Sequence, residues 1–286
     1  MKIKKIVPLF MCLCFLFGCA RPLDDGDTTT QSNTNGNNSS TQTETKTTTS
    51  PTAKAVAGLD SLSTQKIIWG PGNIVDHKQP NDPLLLQKQY ESMNARWLLK
   101  NENQVCLTFD EGYENGYTPQ ILDTLKEKQV KAIFFVTYDF ASQNPELINR
   151  MIKEGHVVGN HTYRHYSMDE VSDDVARQEV TFLHNYIKEK HDYTMSYFRF
   201  PKGEFSERSA QIVKDLGYTS VFWSFAYADW DTSNQIDESI AFTRICESTH
   251  PGEIILLHAV SATNANILGK VIDDIEKQGY TFTTNV

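Results

Sequence analysis

The chain has 286 residues, of which 39% are hydrophobic and 22% charged, and its formal net charge is −9 at pH 7. That balance suits one globular domain plus appendages. It argues against a nucleic-acid partner, because no stretch of Lys and Arg offers a phosphate-tracking groove, and an acidic surface suits solubility beside an anionic wall.

The first segment, MKIKKIVPLFMCLCFLFGCA, has a basic start and an apolar run from Ile6 to Phe17 that is short for a bilayer span. This reads as an export signal. Leu16-Phe17-Gly18-Cys19 resembles the bacterial lipobox, so residues 1–19 are expected to be a lipoprotein signal region, with Cys19 lipidated and everything before it removed. Two acyl chains are the number needed for stable attachment to a membrane. Simple cleavage with release, and an uncleaved signal anchor, are the alternatives, and each still places the domain outside the cytoplasm. Residues 20–52 are rich in Thr, Ser and Asn with almost no aliphatic side chains, the composition of a disordered tether.

Residues 53–100 form an N-terminal extension containing IIWGPGN, DHKQP and LLLQKQYESMNARWLL. The last stretch has apolar positions at helical spacing and is expected to pack on the outside of the main domain or to plug its end. From Val105 onward, short β-branched or aromatic runs alternate with longer helical periods. Strands are predicted near Val105, Lys131, His156, Tyr197, Thr219, Glu253 and Tyr280. Helices are predicted over TPQILDTLKEK, PELINRMIKEG, the stretch from Met168 to about Lys190, SERSAQIVKDLG, ESIAFTRICEST and NANILGKVIDDIEKQG. Seven strand-helix units predict an α/β fold with parallel strands closing into a barrel, and an open doubly wound sheet is the alternative. Cys106 and Cys246 are the two cysteines left in this part, and they read as buried thiols rather than a disulfide framework.

In a β/α barrel, chemistry collects on the loops that leave the C-terminal ends of the strands. Asp110, His161, Arg199, Trp223 and His258 all fall at such positions. HTYRH places His161 and His165 four residues apart, so a helical turn or tight loop presents both rings to one borderline-soft cation such as zinc. The bland alternative is one ring bound to a backbone carbonyl and the other solvated. Asp110 can act as general base toward an activated water, Glu111 beside it can approach the cation, His258 can protonate a departing amine, and Arg199 can hold Asp110 ionised. A structural ion pair is the alternative for Arg199, and a core histidine for His258. Glycoside cleavage by Asp110 with Glu114, Asp229 or Asp231 would leave the histidines unexplained. A Ser-His-Asp nucleophile lacks its G-x-S-x-G turn, and no phosphate-binding glycine loop is present. A non-enzymatic sugar-binding module would use Trp223, Tyr227 and Trp230 as stacking platforms and leave Asp110 and Arg199 idle.

Five blocks in order, TFDEGYENGYT (108–118), HTYRH (161–165), RFPKGEFS (199–206), WSFAYADW (223–230) and LLHAV (256–260), resemble carbohydrate esterase family 4, the NodB-homology polysaccharide deacetylases, across residues 101–286. The resemblance implies a distorted (β/α)7 barrel and metal-dependent deacetylation of a polysaccharide. It implies Asp110 as base, His161 and His165 as metal ligands, Arg199 positioning the base, His258 as acid, and a backbone N–H at Lys202 as oxyanion donor. The metal implied is divalent, zinc first, with cobalt or manganese open.

Two positions depart from the family pattern. Glu111 stands where the third metal ligand is usually Asp, and it either reaches the ion from a shifted backbone or leaves a two-histidine site. Ala226 replaces the usual Asp that tunes the acid, so Asp229 or another partner has to serve. These departures, with GYENGYT and LLHAVS, resemble the subgroup that deacetylates N-acetylmuramic acid of peptidoglycan on the way to muramic δ-lactam in spore cortex. That implies a glycan stripped of stem peptide, contacted by Tyr113, Asn115, Trp223, Tyr227, Asp229 and Trp230. N-acetylglucosamine or chitin-like glycans, and a catalytically silent wall-binding relative, are the rivals. The expected protein is a monomer, extracytoplasmic and membrane-anchored through its lipid, with glycan strands as partner.

Overall fold

The computed structural model describes residues 56–72 and 74–286; the expected signal region with Cys19 and the tether over 20–52 lie outside the described residues. A 3₁₀ turn at Val56–Ser61 leads to β1 (Ile67–Ile68), α1 (Asn81–Gln89) and β2 (Ala95–Arg96). Here the structure differs from the expected long helix. Helix α1 ends at Gln89, a 3₁₀ turn at Glu91–Met93 follows, and Asn94 adopts a left-handed conformation (φ 55°). The chain then enters the two-residue β2, and Ala95, Trp97, Leu98 and Leu99 are all buried, so this stretch packs into the core without continuing as a helix.

The main domain continues with β3 (Gln104–Glu111), α2 (Thr118–Glu127), β4 (Ile133–Val136), α3 (Tyr138–Gln143), α4 (Pro145–Lys153), β5 (Val157–Asn160) and α5 (Asp173–His191). Then come β6 (Tyr197–Phe198), β7 (Glu204–Phe205), α6 (Glu207–Asp215), β8 (Thr219–Val221), α7 (Glu238–Ser248), β9 (Ile254–His258), α8 (Ala262–Lys277) and β10 (Thr281–Phe282). Pro119 stands in the first turn of α2, where its missing N–H is no loss. Ser172 caps α5 by accepting from the Val175 N–H, which is why that helix starts there and not at Met168. The unexpected α3 starts in the same way, with Thr137 accepting from Phe140 N–H.

All seven expected strands are present, in parallel order β10-β3-β4-β5-β6-β8-β2, with β9 also paired to β3. The sheet curls until Phe225, just beyond β8, bridges Ile255 of β9, so the strands form a distorted barrel flanked by helices. Strands β3 and β4 are buried on both faces, which explains their unbroken apolar reading. The extension is built into this fold. Strand β2 pairs with β8, β1 pairs antiparallel with β7, and Trp97 stacks on Phe222 at 4.3 Å. Cys106 and Cys246 are free, buried thiols.

Candidate active site

Strand register brings the candidates together. Asp110 on β3 lies beside His258 on β9, and His161 and Arg199 each follow by one residue the paired Asn160 and Phe198 of β5 and β6. The guanidinium of Arg199 is fully buried and all its groups are engaged. It donates to Asp110 Oδ1 at 2.9 Å, Thr108 Oγ1 at 2.7 Å, Val221 O at 2.9 Å and Phe222 O at 3.1 Å, and it lies 4.1 Å from the Phe135 ring. Burial by itself would raise the Asp110 pKa, but Arg199 and then His161 outweigh it and hold the carboxyl below its ordinary value. Asp110 is therefore ionised at neutral pH.

The HTYRH segment is a tight loop, not a helical turn. Thr162 and His165 both take positive φ (72° and 58°), a costly conformation for a β-branched residue. The surroundings over-determine it. Asn160 Oδ1 accepts from Thr162 N–H at 2.9 Å, Thr162 Oγ1 accepts from His165 N–H at 2.8 Å, and the buried Glu179 carboxylate accepts from Arg164 N–H at 2.6 Å. The result sets the two Nε2 atoms 3.2 Å apart, with His161 Nε2 also 3.5 Å from Asp110 Oδ2. His161 Nδ1 lies 2.9 Å from the Arg199 carbonyl, which can only accept, so the proton is on Nδ1 and the Nε2 lone pair is free. Burial, and for His165 the neighbouring ring, lower both pKa values, that of His165 to about 3. Two neutral imidazoles facing each other suit a divalent cation.

Across the site, burial opposes charge on His258, but Asp229 at 2.7 Å from its Nδ1, with Asp110 beyond, outweighs burial and raises its pKa. The Asp229 carboxylate also accepts from the His258 N–H at 2.8 Å and the Asn264 side chain at 2.5 Å. It is buried and saturated, so of the two roles the sequence left open for Asp229, partner of His258 and substrate contact, the geometry matches the first.

Asp110, His161, His165 and His258 line a cleft of about 670 Å³, with Arg199 and Asp229 behind them, and it is walled by Trp223, Tyr227, the half-exposed Tyr113 and the exposed Trp230. The buried Trp223 Nε1 has no acceptor among the described residues, which leaves a donor on that wall. Lys202 sits at the edge in a left-handed turn (φ 59°, ψ 5°), and Gly203 follows at φ 71°. A Cβ on Gly203 would meet Trp69 O at 2.7 Å and the Trp223 ring at 2.9 Å, so glycine is required there. The extension, whose function was not readable from sequence, supplies Trp69, Gly70 and Pro71 to the cleft. The Trp69 N–H donates to Gly203 O at 3.0 Å, and its indole N–H donates to Trp223 O at 3.0 Å.

Besides Arg199 and Asp229, which act through the lining residues they touch, Glu111 and Asn115 are also outside the cleft lining. Glu111, next to Asp110 on a strand, faces the opposite way and lies against Thr118 Oγ1 at 3.4 Å. Burial first, and then the charge of Glu114, raise its pKa well above the usual value. Of the two options open for Glu111, the structure takes the one that leaves a two-histidine site, and among the described residues no three His, Cys, Asp or Glu converge as a metal cage. Asn115 donates to Val260 O at 2.9 Å, a contact that pins its loop to the start of α8 and not to substrate. The alternative glycosidase carboxylates fare no better, since Glu114 accepts from the Gly116 and Thr118 amides and Asp231 from Ser233.

The family model for polysaccharide deacetylase matches residues 99–221. A peptidoglycan-N-acetylmuramic acid deacetylase of Bacillus subtilis, PdaA, is 39% identical over 234 residues, covering 80% of this chain and 88% of that protein. The chain belongs to the polysaccharide deacetylase family. It is a deacetylase by that membership, and the solved structure of the B. subtilis relative, described as a family 4 carbohydrate esterase, superposes with a TM-score of 0.74 over 78% of this chain and 96% of that one. A peptidoglycan-N-acetylglucosamine deacetylase of Bacillus cereus is 31% identical over 70% of this chain and 96% of its own length.

Proposed function

We propose that the chain is a metal-dependent N-deacetylase of peptidoglycan that acts on N-acetylmuramic acid in strands lacking stem peptide, ahead of muramic δ-lactam formation in spore cortex. The observation that carries the reading is the joint arrangement of an ionised Asp110 held by Arg199, two neutral rings whose Nε2 atoms face each other at 3.2 Å, and a His258 whose pKa is raised by Asp229. Muramic preference draws on Lys202, the one Lys or Arg lining the cleft, which has no carboxylate within 4.0 Å among the described residues. Its ammonium complements the lactyl carboxylate that muramic acid carries and glucosamine lacks. A stem peptide would turn that carboxylate into an amide.

His161 Nε2 and His165 Nε2 would hold the ion, and a divalent cation there supplies polarisation of the acetamide carbonyl and a lowered pKa for the attacking water. Zinc suits imidazole donors. Asp110 takes the proton from that water, the Lys202 backbone N–H donates to the carbonyl oxygen as charge develops, and His258 gives its proton to the departing amine. Attachment through a lipidated Cys19 and a tether over 20–52 would put this cleft at the outer membrane face, within reach of the wall.

Peptide-free glycan incubated with the purified protein, then digested and weighed by mass spectrometry, is expected to show free amine on muramic acid and released acetate. Amine on glucosamine alone would favour the activity in the B. cereus relative's name. His161→Ala is expected to lose bound metal and acetate release together; full activity without metal would remove the two-histidine site from the mechanism.

A further inference from the structure

We infer that a second trough, adjoining the catalytic cleft, is a distal subsite that binds the continuing glycan strand; this rests on the polysaccharide reading above. The trough, of about 990 Å³, runs between residues 71, 72 and 74–77 of the extension and the outer face of α7, where Ser239 and Thr243 recur at helical spacing. Pro71 and Ala226 line both the trough and the catalytic cleft, so the two adjoin at these residues.

The lining fits a sugar polymer. Ile240 and Val75 are 57% and 64% exposed on its walls, a pair of aliphatic surfaces for the apolar faces of pyranose rings. The hydroxyls of Ser239 and Thr243 face the hydroxyl edges. Arg244 is the trough's one Arg or Lys, is exposed, and has no carboxylate within 4.0 Å among the described residues. Its guanidinium lies 5.9 Å from the ring of Tyr227, which walls the catalytic cleft, so the cation stands beside the junction. Asp76, paired with Lys78 at 3.5 Å, and Glu247 add negative charge to the same walls. Mixed charge of this kind repels a dense polyanion and suits a mostly neutral strand with sparse carboxylates, which Arg244 can meet one at a time.

Arg244→Glu and Thr243→Trp, both at exposed positions of α7, test this independently, one by charge and one by filling the trough. Binding and acetate release are measured on long peptide-free strands and on a tetrasaccharide, with melting temperatures checked for both variants. For Arg244→Glu the Kd and KM for long strands are expected to rise roughly two- to fivefold, the range an exposed ion pair supports. Thr243→Trp should act in the same direction, and kcat and all tetrasaccharide values should hold, the signature of lost binding away from the reacting atoms. Equal effects on both lengths, or none on either, would overturn the subsite. A wild-type protein that releases no acetate from either substrate would sink the deacetylase reading, while the binding comparison still decides the trough.

Discussion

Asp110 and Glu111 are neighbours on β3, both carboxylic acids and both buried, yet one is held ionised and the other held neutral. Burial pushes both pKa values up, so burial does not separate them. The strand does, because successive side chains leave on opposite faces. Asp110 meets the fork of Arg199, whereas Glu111 meets a threonine hydroxyl and the field of Glu114. The pair teaches that in a curled parallel sheet the chemistry of a carboxyl is set by which face it takes, and that a shift of one residue exchanges a base for a spectator.

The largest test of that contrast is Asp110→Asn. Turnover should fall by ~10²–10⁴-fold, the usual worth of a positioned general base, while glycan binding persists. Arg199 would lose its counter-charge but keep its bonds to Thr108, Val221 and Phe222, so the stability cost should be about 1–3 kcal/mol in denaturant. Unchanged acetate release would remove Asp110 from the reaction.

A smaller effect is expected on the acid side. Asp229→Asn removes the charge that raises the His258 pKa and keeps the shape of the contact. Catalysis needs His258 protonated, so activity declines as pH rises through that pKa. With the pKa returned toward or below its ordinary value, the alkaline limb of the pH profile should move to lower pH, with the acid limb in place. A profile that drops uniformly without moving would make Asp229 a purely structural residue.

The strand-helix order and the rim were legible because each depends on local pattern. Period-two runs, a proline in a first turn and capping serines are short-range signals, and Asp110, His161, Arg199 and His258 all stand at strand ends. What stayed hidden depends on direction and on distance along the chain. Nothing local in DEG tells which carboxyl faces inward, although strand alternation with the apolar Phe109 and Leu107 could have warned that Glu111 and Asp110 part ways. Asp229 carries two readings in the sequence, partner of His258 and substrate contact, and nothing local chooses between them, because its bonds to His258 and Asn264 join elements nearly thirty and more residues apart. The contribution of Trp69 to the cleft depends on β1 pairing with β7 across about half the chain, and a two-residue strand leaves almost no periodic trace.

The finest test is Glu111→Gln. A carboxyl whose folded pKa is raised keeps its proton where the unfolded chain, near a pKa of about 4.3, has released it. The wild-type protein therefore loses stability as pH climbs from that value toward the folded one, and a glutamine cannot show the loss. Near pH 4 the two proteins should melt alike, and the variant's melting temperature relative to wild type should grow as pH rises above the unfolded value. Activity should stay within about twofold, as for a substitution that touches no reacting group. Collapse of activity, or parallel melting curves across pH, would mean that Glu111 works as an ionised group of the site, and the division between the two faces of β3 would fail.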